Sequence, residues 1–469
     1  MLRKQWRGCV AAAGLAALVG CGGGGETPLP DDWKPLEGHL VGAEGVTYSA
    51  GDSSTGGPAI GRTNVNGTFP FKVKPSSATQ SCNDSGIPNT NDACLSPTTL
   101  GVCGVTFGSF LVPPANGFGI APMYTPLDFS SNPIVVNNIA SILLMSNANN
   151  GDPNTSGLKV SEKLQGATCP AVDLTSTNIE TAAAAMQTTA QGDGMPHPWP
   201  DAQQIASYVT EKYICAHSGL YDGWQANTAT AAYPAGALAG RLTALIDVTG
   251  HVSGTIDFSR KSAGPYTGIV PFAGSLTIAP GGGTFAYTTP PTSSIPGLIL
   301  NISLTPNSAL GTWQSSDGGA AGTTAFLDWL HGNVTNPGLH RSDTVAIPRY
   351  RFIIEGLSYV PPAGSPGGGL PLTFALQVDI DVYGQAKAML MQWPVPEDPA
   401  QWALFFLSGN LSGGVLTLSY NWDREVTSTA VTDKQMKFTL DTNASTLMGD
   451  FVGYDGTPIG TLTIPGCRD

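Results

Sequence analysis

Glycine and proline are abundant and charge is scarce in this 469-residue chain, which has 59 Gly and 37 Pro. Together they make up about a fifth of the residues, compared with roughly 12% in average proteins. Charged residues account for 12% and apolar residues for 41%, which excludes disorder of the charged, hydrophobe-poor kind. The length predicts roughly two to four domains, and the composition favours short strands joined by turns over long helices.

The first twenty residues predict an export signal. Arg3, Lys4 and Arg7 precede an apolar run from Val10 to Val19 that is too short to span a bilayer as a stable helix. Its removal takes away three positive charges, so the formal charge changes from −13 to −16. The sequence offers no Lys/Arg stripe for phosphate groups, which argues against a nucleic acid partner. No later segment is apolar over the roughly 18 residues that a membrane helix needs.

The apolar run ends in Leu18-Val19-Gly20-Cys21, which resembles the lipobox of bacterial lipoproteins. The resemblance implies that residues 1–20 are a cleaved signal peptide and that Cys21 is lipidated and becomes the mature N-terminus. Gly22 after the cysteine, where Asp would retain the protein at the inner membrane, implies the outer membrane. The glycine-rich segment 21–38 reads as a flexible tether. The alternative is an ordinary signal peptide that contains a chance cysteine.

The cysteines that follow the signal predict disulfide bonds, because their number is even and the chain is exported. They are Cys82, Cys94, Cys103, Cys169, Cys215 and Cys467. Proximity in the sequence favours three pairs, Cys82 with Cys94, Cys169 with Cys215, and Cys103 with Cys467. The CxxC or His/Cys spacing of a metal site is missing, and no metal or cofactor is predicted.

Residues 39–130 predict a β-sandwich module. The segment 63–69, Thr-Asn-Val-Asn-Gly-Thr-Phe, resembles the T-D-x-D/N-G-x-F signature of carboxypeptidase-regulatory-like modules, which are β-sandwiches of exported bacterial proteins. Asn64 replaces the customary Asp. Asn66-Gly67 predicts a type I′ hairpin between the flanking β-formers.

Residues 131–217 predict a helical region. Apolar residues at 135, 139 and 142 form a helical stripe, and capping boxes at 177–180 and 201–204 predict two further helices. The "TPLD" at 125–128, followed by "VNNIA", resembles a module of uncharacterised bacterial lipoproteins and adhesin-like proteins. In that module the helix leads into a loop rich in Asp, Asn and Gly. The loop here, 147–154, is read either as a simple helix ending or as a calcium site, for which Asp152 is its single carboxylate.

Two successive β units are predicted at 218–335 and 336–469, because sequence landmarks recur in the same order. Ile-Asp-Val-Thr-Gly at 246–250 recurs as Ile-Asp-Val-Tyr-Gly at 380–384. In the second landmark an aromatic residue, Trp313 or Phe451, stands four residues before an Asp-Gly turn and nine before a Gly-Thr pair. Hairpin geometry predicts a type I′ turn at Asp-Gly and an aromatic side chain facing the core. The repetition favours a duplication.

The predicted fold is therefore mainly β with a small helical insert: an N-terminal β-sandwich, a short helical region, and two tandem antiparallel eight-stranded barrels or sandwiches. The closing hairpins resemble those of small barrels in outer-membrane ligand-capturing lipoproteins of the transferrin-binding-protein type. An integral outer-membrane barrel is the competing interpretation, and a lipid anchor would then be redundant.

Motifs for catalysis are missing, which predicts a protein that is not an enzyme. The chain has no Gly-x-Ser-x-Gly elbow, HExxH or P-loop, and its six histidines are scattered. Glu397-Asp398 reads as a solvated loop, and Gly51-Asp52-Ser53 as a turn. Tryptophans are the remaining functional candidates, since they either fill cores or stack on ligands. The candidates for stacking are Trp313, Trp393, Trp402 and Trp422.

These features predict a cell-envelope lipoprotein that acts in surface binding or adhesion. The expected partners are the membrane, through the lipid anchor, and a glycan or protein at the cell surface. Two alternatives stay open: carriage of a small apolar ligand inside a barrel, and hydrolysis at a site without a recognised motif.

Overall fold

The fold is mainly β, with helices concentrated in one central segment of the chain. The predicted fold class is confirmed at this level. The computed structural model describes residues 34–50, 59–65, 67–73, 96–112, 123–149, 157–230, 235, 238–258, 266, 268–292, 294–305, 308–327, 334–337, 339–341, 349–360, 371–381, 383–394, 403–420, 435–453 and 458–468.

Two small sheets form the N-terminal part. The strands are β1 Lys34–Leu40, β2 Ala43–Glu44, β3 Thr47–Ala50, β4 Ala59–Arg62, β5 Thr68–Val73, β6 Ser96–Val102, β7 Val105–Val112, β8 Met123–Tyr124 and β9 Leu158–Lys159. One sheet has the order β5-β1-β8 and the other β4-β3-β6-β7, while β2 pairs with β9. The rings of Tyr48 and Phe69, one from each sheet, lie 5.8 Å apart, so the two sheets share apolar contacts.

The hairpin predicted at Asn66-Gly67 is wrong, because β4 and β5 belong to different sheets. The segment turns all the same: Gly67 N donates to Asn64 O at 2.8 Å, and Asn64 N donates to Thr68 O at 3.0 Å. Gly67 has a φ of +70°, and a Cβ there would lie 2.0 Å from the Leu40 carbonyl oxygen. Glycine is therefore required by the close approach of β1 as well as by the turn. Asn66 lies outside the described residues.

The described helices lie between residues 133 and 217. They are α1 Pro133–Met145, α2 Ile179–Ala182, α3 Ala184–Ala190 and α4 Ala202–His217, with 3₁₀ turns at Pro126–Asp128 and Gln191–Asp193. The predicted capping box of α4 is confirmed, since Asp201 and Gln204 each accept a hydrogen bond from the other's backbone N–H. The cap of α2 is Asn178, one residue after the expected Thr177.

One continuous core joins the N-terminal sheets, the helices and the first β unit. The apolar stripe of α1 contributes Val136, Ile139 and Leu143, all at most 1% exposed. Since α1 packs against α4, the helical segment lies between the N-terminal sheets and the strands that follow it. The helices therefore bury their apolar faces against β structure rather than forming a bundle of their own.

The first β unit is an antiparallel sheet. Its strands are β10 Gly219–Asn227, β11 Ala239–Ile246, β12 His251–Asp257, β13 Ile269–Ser275, β14 Thr277–Ala279, β15 Gly282–Thr288, β16 Leu298–Thr305, β17 Ser308–Ser315, β18 Ala321–Leu327, β19 Val334–Pro337 and β20 Leu339–Arg341. The order is β13-β12-β11-β10-β18-β17-β16-β15-β14, with β19 and β20 off this path. Leu276 alone separates β13 from β14, so the two ends of the path are neighbouring segments of the chain.

The second β unit is a closed antiparallel barrel of eight strands. They are β21 Tyr350–Tyr359, β22 Leu372–Ile380, β23 Gln385–Pro394, β24 Ala403–Ser412, β25 Val415–Tyr420, β26 Met436–Asp441, β27 Thr446–Val452 and β28 Pro458–Arg468. Phe352, Phe374, Phe438 and Phe451 are at most 1% exposed and belong to one apolar cluster. Closure pairs β28 with β21, so neither strand is left as an open edge.

The hairpins after the second strand of each unit have the same hydrogen bonds. The Asp247 carboxylate accepts from the backbone N–H groups two and four residues later, at 2.8 and 2.9 Å. The Asp381 carboxylate does the same, at 2.8 Å for both. Gly250 and Gly384 have φ values of +81° and +80°. The recurring pentapeptide therefore builds the same turn at the same place in both units.

The closing hairpins also correspond. Trp313 lies opposite Gly322 across β17 and β18, and Phe451 lies opposite Gly460 across β27 and β28. The two aromatic residues are 1% and 0% exposed. The expectation that they face the core is confirmed.

The type I′ turn expected at Asp317-Gly318 is wrong. Gly318 has a φ of +74°, but Asp317 is not among the residues with positive φ, and type I′ needs both. Ser315 N donates to Ala320 O, which leaves a loop of 316–319 in place of a two-residue turn. The corresponding Asp455-Gly456 lies outside the described residues.

Candidate functional site

The first and second β units meet through the outer faces of their opening strands. Five buried apolar residues form a separate cluster at this junction: Leu220, Leu245, Ile353, Ala375 and Met389. Strands β10 and β11 supply the first two, and β21, β22 and β23 the others. The cluster removes apolar surface of both units from water and so favours their contact.

A buried polar network reinforces this junction. Arg351 Nε donates to Asp379 Oδ1 at 2.9 Å, and Arg351 Nη1 donates to Ser218 O at 2.7 Å. Gln377 Nε2 donates to Asp379 Oδ2 at 2.8 Å and Gln377 Oε1 accepts from Leu220 N at 3.0 Å. The Arg351 and Asp379 side chains are 1% and 0% exposed. Each buried charge is thus paired, as burial at this depth requires.

A disulfide bond holds the same junction covalently. Cys215, near the end of α4, is bonded to Cys467 in β28, with a Cα–Cα distance of 5.7 Å. Cys103 is bonded to Cys169, with a Cα–Cα distance of 5.3 Å. Disulfide bonding is confirmed, but the expected pairs of Cys169 with Cys215 and of Cys103 with Cys467 are wrong. The reason is tertiary: the β6–β7 turn holds Cys103 beside Cys169, while α4 ends against the last strand of the barrel.

A cleft of about 170 Å³ opens beside the apolar cluster, between the two β units. From the first unit it is lined by Thr243, Ala244, Leu245, Ser253, Gly254, Thr255, Pro271 and Phe272, and from the second by Glu355, Ala375 and Met391. Junctions between domains are common places for ligand sites, because two surfaces can contribute groups to one ligand.

The wall from the first unit carries hydroxyl groups. Thr243 and Thr255 are directly opposite across β11 and β12, and their Oγ1 atoms lie 3.1 Å apart. Ser253 stands two residues before Thr255, and its Oγ donates to Glu355 Oε2 of the second unit. Alternation along a strand places these hydroxyls on one face of the sheet.

The wall from the second unit combines a carboxyl group with apolar side chains. Glu355, Ala375 and Met391 are aligned across β21, β22 and β23. Glu355 is exposed through the cleft mouth, yet the surrounding atoms bury its carboxyl enough to raise its pKa above the ordinary value. The Ser253 hydrogen bond and the charge of His251 oppose this increase in pKa, and the charge of Asp247 adds to it.

Ser161, Asp193 and His197 form a second polar cluster, in the helical segment. Asp193 Oδ2 accepts from Ser161 Oγ at 2.5 Å, and His197 Nε2 lies 3.1 Å from both Asp193 carboxylate oxygens. Burial would raise the Asp193 pKa, but hydrogen bonds from Ser161, the Met195 backbone and His197 outweigh it and lower the pKa. The carboxylate lies between the hydroxyl and the imidazole, so the histidine cannot take the serine proton as a catalytic triad requires.

The candidate aromatic and cysteine positions are spread over the chain. Trp313 is 1% exposed and packs edge-on against Phe258, so of its two predicted roles it fills the core. Trp393 lies in β23, opposite Thr373. The candidates outside the described residues are Cys21, Cys82, Cys94, Trp402 and Trp422.

The described part of the chain holds neither a candidate metal cluster nor a helix that could span a membrane. No group of three or more His, Cys, Asp and Glu residues there is placed to hold a metal ion. No helix in the same residues combines the length and apolar character needed to cross a membrane.

Comparisons with known proteins give no family for this chain. No protein family model matches it, and no curated protein matches it. One solved structure with some similarity is a protein of unknown function from the DUF3598 family of Nostoc punctiforme. The two chains are 11% identical with a TM-score of 0.17, and the match covers 55% of this chain and 98% of the other. A similarity this low supports no argument about fold or function.

No pattern in the sequence indicates the cleft. Ser253 and Glu355 are 102 positions apart, and neither lies in a recognisable motif. Their meeting depends on how two β units pack, which residue spacing along one strand does not encode. The Ile-Asp-Val repeat was the nearest indication, since its first copy ends β11 beside this junction.

Proposed function

We propose that this chain is a lipid-anchored cell-envelope protein that binds a partner at the cell surface, and that it acts without catalysis. The proposed anchor is Cys21, followed by a tether between the membrane and the folded part; the expected bounds of 21–38 are too long, because Lys34–Leu40 form β1. Several acyl chains at about 0.8 kcal/mol per buried CH₂ give a lasting hold, whereas one chain is marginal. The residue after Cys21 supports the outer membrane as the location.

The observation that carries the binding function is the cleft between the two β units. Three kinds of contact hold its two walls together: the disulfide from α4 to β28, the hydrogen bonds that Arg351 and Gln377 make with Ser218 and Leu220, and an apolar cluster. A site with fixed walls loses little conformational entropy on binding, which favours recognition. We prefer binding to carriage of an apolar ligand and to hydrolysis. The reason is that specific contacts hold the walls of this cleft in place.

We also propose that the two β units are a tandem pair that arose by duplication, each with eight main strands. Corresponding Asp turns after the second strand and corresponding aromatic–Gly pairs in the closing hairpin support this. In the first unit the count of eight treats β13 and β14 as one bent strand. The cleft would then lie between two related surfaces.

The anchor is tested by labelling cells with an alkyne analogue of palmitate. The chain is expected to be labelled and to fractionate with outer membranes, while the Cys21→Ser variant is exported but unlabelled. Equal labelling of both chains would contradict the anchor.

The binding function is tested with the exported full chain carrying Cys21→Ser. Immobilised protein is exposed to extracts of cell envelopes and of host matrix, and the bound material is eluted and identified. Specific recovery of a protein or glycan partner is expected. The control adds soluble chain, which should compete with the immobilised chain for the partner. If neither material yields a partner whose capture is reduced in this way, the proposed function is wrong.

A further inference from the structure

We propose that the cleft between the β units binds the alkylammonium side chain of a lysine presented by a partner protein. The inference deepens the proposed binding function and rests on it for the source of the lysine. The binding chemistry itself depends on three features of the cleft: its charge, the character of its walls and its size.

The charge of the cleft is negative. Glu355 supplies a carboxylate, and Ser253 is its hydrogen-bond donor within the described residues. In the same part of the chain, no Lys or Arg side chain forms an ion pair with Glu355, and the charges that act on it are those of His251 and Asp247. A partly buried carboxylate without a cationic partner favours a ligand that brings the cation. The formal charge of the chain, −13, favours approach of a basic partner as well.

The remaining walls suit the stem and the donors of a lysine. Leu245, Ala375 and Met391 are apolar and line the same space as the carboxylate. A lysine covers such surface with its methylenes while its ammonium reaches a polar group. The ammonium has three donors and no acceptor, and the Glu355 carboxylate and the hydroxyl oxygens of Thr243 and Thr255 can accept from it.

The size of the cleft favours one side chain over an oligosaccharide. At about 170 Å³, the cleft is close in size to the roughly 150 Å³ cavity that holds one benzene molecule. Several linked sugar rings exceed this space. Sugars prefer flat aromatic platforms, and Phe272, the aromatic residue of the lining, is 3% exposed and offers little ring surface. A protein partner can place a single lysine in the cleft and make its other contacts on the rim.

The test uses the exported full chain carrying Cys21→Ser, with its disulfides intact and its methionine methyl groups labelled for NMR. Nα-acetyl-lysine amide is the probe, and Nα-acetyl-norleucine amide is its neutral counterpart. Saturable shifts of the Met391 methyl signal are expected with the lysine probe at millimolar concentration. The Met448 methyl, 53% exposed on β27, serves as the reporter away from the cleft. The norleucine probe is expected to bind roughly tenfold more weakly or worse.

Two matched variants decide the role of the carboxylate. Glu355→Gln keeps the shape and is expected to weaken binding of the lysine probe by roughly tenfold or more. Glu211→Gln removes the same charge from another Ser–Glu pair, Ser207 with Glu211 on α4, and is expected to leave binding unchanged. Circular dichroism and the unfolding midpoint of each variant check that the fold is retained.

Three results would overturn the inference: equal binding of the two probes, unchanged binding after Glu355→Gln, or a chitin oligosaccharide that saturates the Met391 shift in place of lysine. Failure of the proposed function gives a different result. In that case the lysine probe binds as expected, but no partner is recovered from envelope or host material. Conversely, a partner can be recovered that the Glu355→Gln chain retains equally well. That result would support surface binding but would exclude the cleft as the site that binds the partner.

Discussion

The buried pair of Arg351 and Asp379 in the second β unit gives the sharpest test of the junction, because Asp379 holds the Arg351 side chain that donates to Ser218 of the first unit. Asp379→Asn leaves an amide that can still accept from Gln377, but it removes the charge that compensates Arg351. Both side chains are at most 1% exposed, so the guanidinium would stay buried without a counter-charge. Breaking a buried pair from one side costs about 3–5 kcal/mol, and we expect a loss of this size in unfolding free energy.

The double variant Arg351→Met with Asp379→Asn separates charge from packing. It removes both charges, and the main remaining loss is the hydrogen bond from Arg351 to the Ser218 carbonyl, worth about 1–3 kcal/mol. The double variant should therefore be more stable than Asp379→Asn alone. Asp450→Asn, on an exposed strand position of the same barrel, is the control and is expected to change stability by less than about 0.5 kcal/mol.

The assay is urea unfolding followed by tryptophan fluorescence and by circular dichroism, with the disulfides intact. Two probes are needed, because a chain with several units need not unfold in one step. The reasoning would be refuted if Asp379→Asn cost less than about 1 kcal/mol, or if the double variant were less stable than the single one.

Three further predictions concern single contacts. Asp128 has its pKa raised to about 6 by burial, so its ionisation destabilises the fold increasingly as pH rises from 3.8 to about 6. Asp128→Asn should then add up to about 3 kcal/mol at pH 7 and little below pH 4, and an equal gain at both pH values in urea unfolding would contradict this. Replacing Cys215 and Cys467 by Ala should lower the unfolding free energy by about 2–5 kcal/mol; reduction of the native chain that leaves its midpoint unchanged would speak against it. Trp313→Ala and Phe451→Ala should each cost about 3–5 kcal/mol, and thermal unfolding that shows similar stability for either variant would disprove the core position.

Some local rules in the sequence predicted local structure, although the type I′ turn expected at Asp317-Gly318 is wrong. The Asp201–Gln204 capping box marked the start of α4, because both of its hydrogen bonds lie within three residues. The alternation of strand side chains predicted that Trp313 and Phe451 face the core. In these cases the residues that decide the structure are close together in the chain, so spacing carries the information.

Contacts between distant segments could not be predicted from the sequence. Sequence proximity paired Cys169 with Cys215, but the actual partner of Cys215 is 252 residues away. The turn at Gly67 was anticipated, but not that its flanking strands enter different sheets, since sheet membership depends on β1 and β3 as partners. The cleft belongs to the same category, because Glu355 meets Ser253 only when two units pack.

The junction has a bearing on the proposed duplication. In each unit the faces that meet belong to the opening strands, β10 to β12 in one and β21 to β23 in the other. Two copies of one unit that associate through the same face form a self-complementary interface, which is the arrangement of a two-fold dimer. In a dimer of identical chains every substitution appears on both sides of the interface. In a single chain with two fused units a substitution changes one side alone, so the two sides can diverge. Under the proposed duplication, the ion pair and the cleft are places where the copies differ: Arg351 and Asp379 lie in the second unit, and the hydroxyl wall lies in the first. An identical pair related by a two-fold axis would form a cleft with one acidic and one hydroxylic wall twice, whereas the proposed diverged pair forms it once.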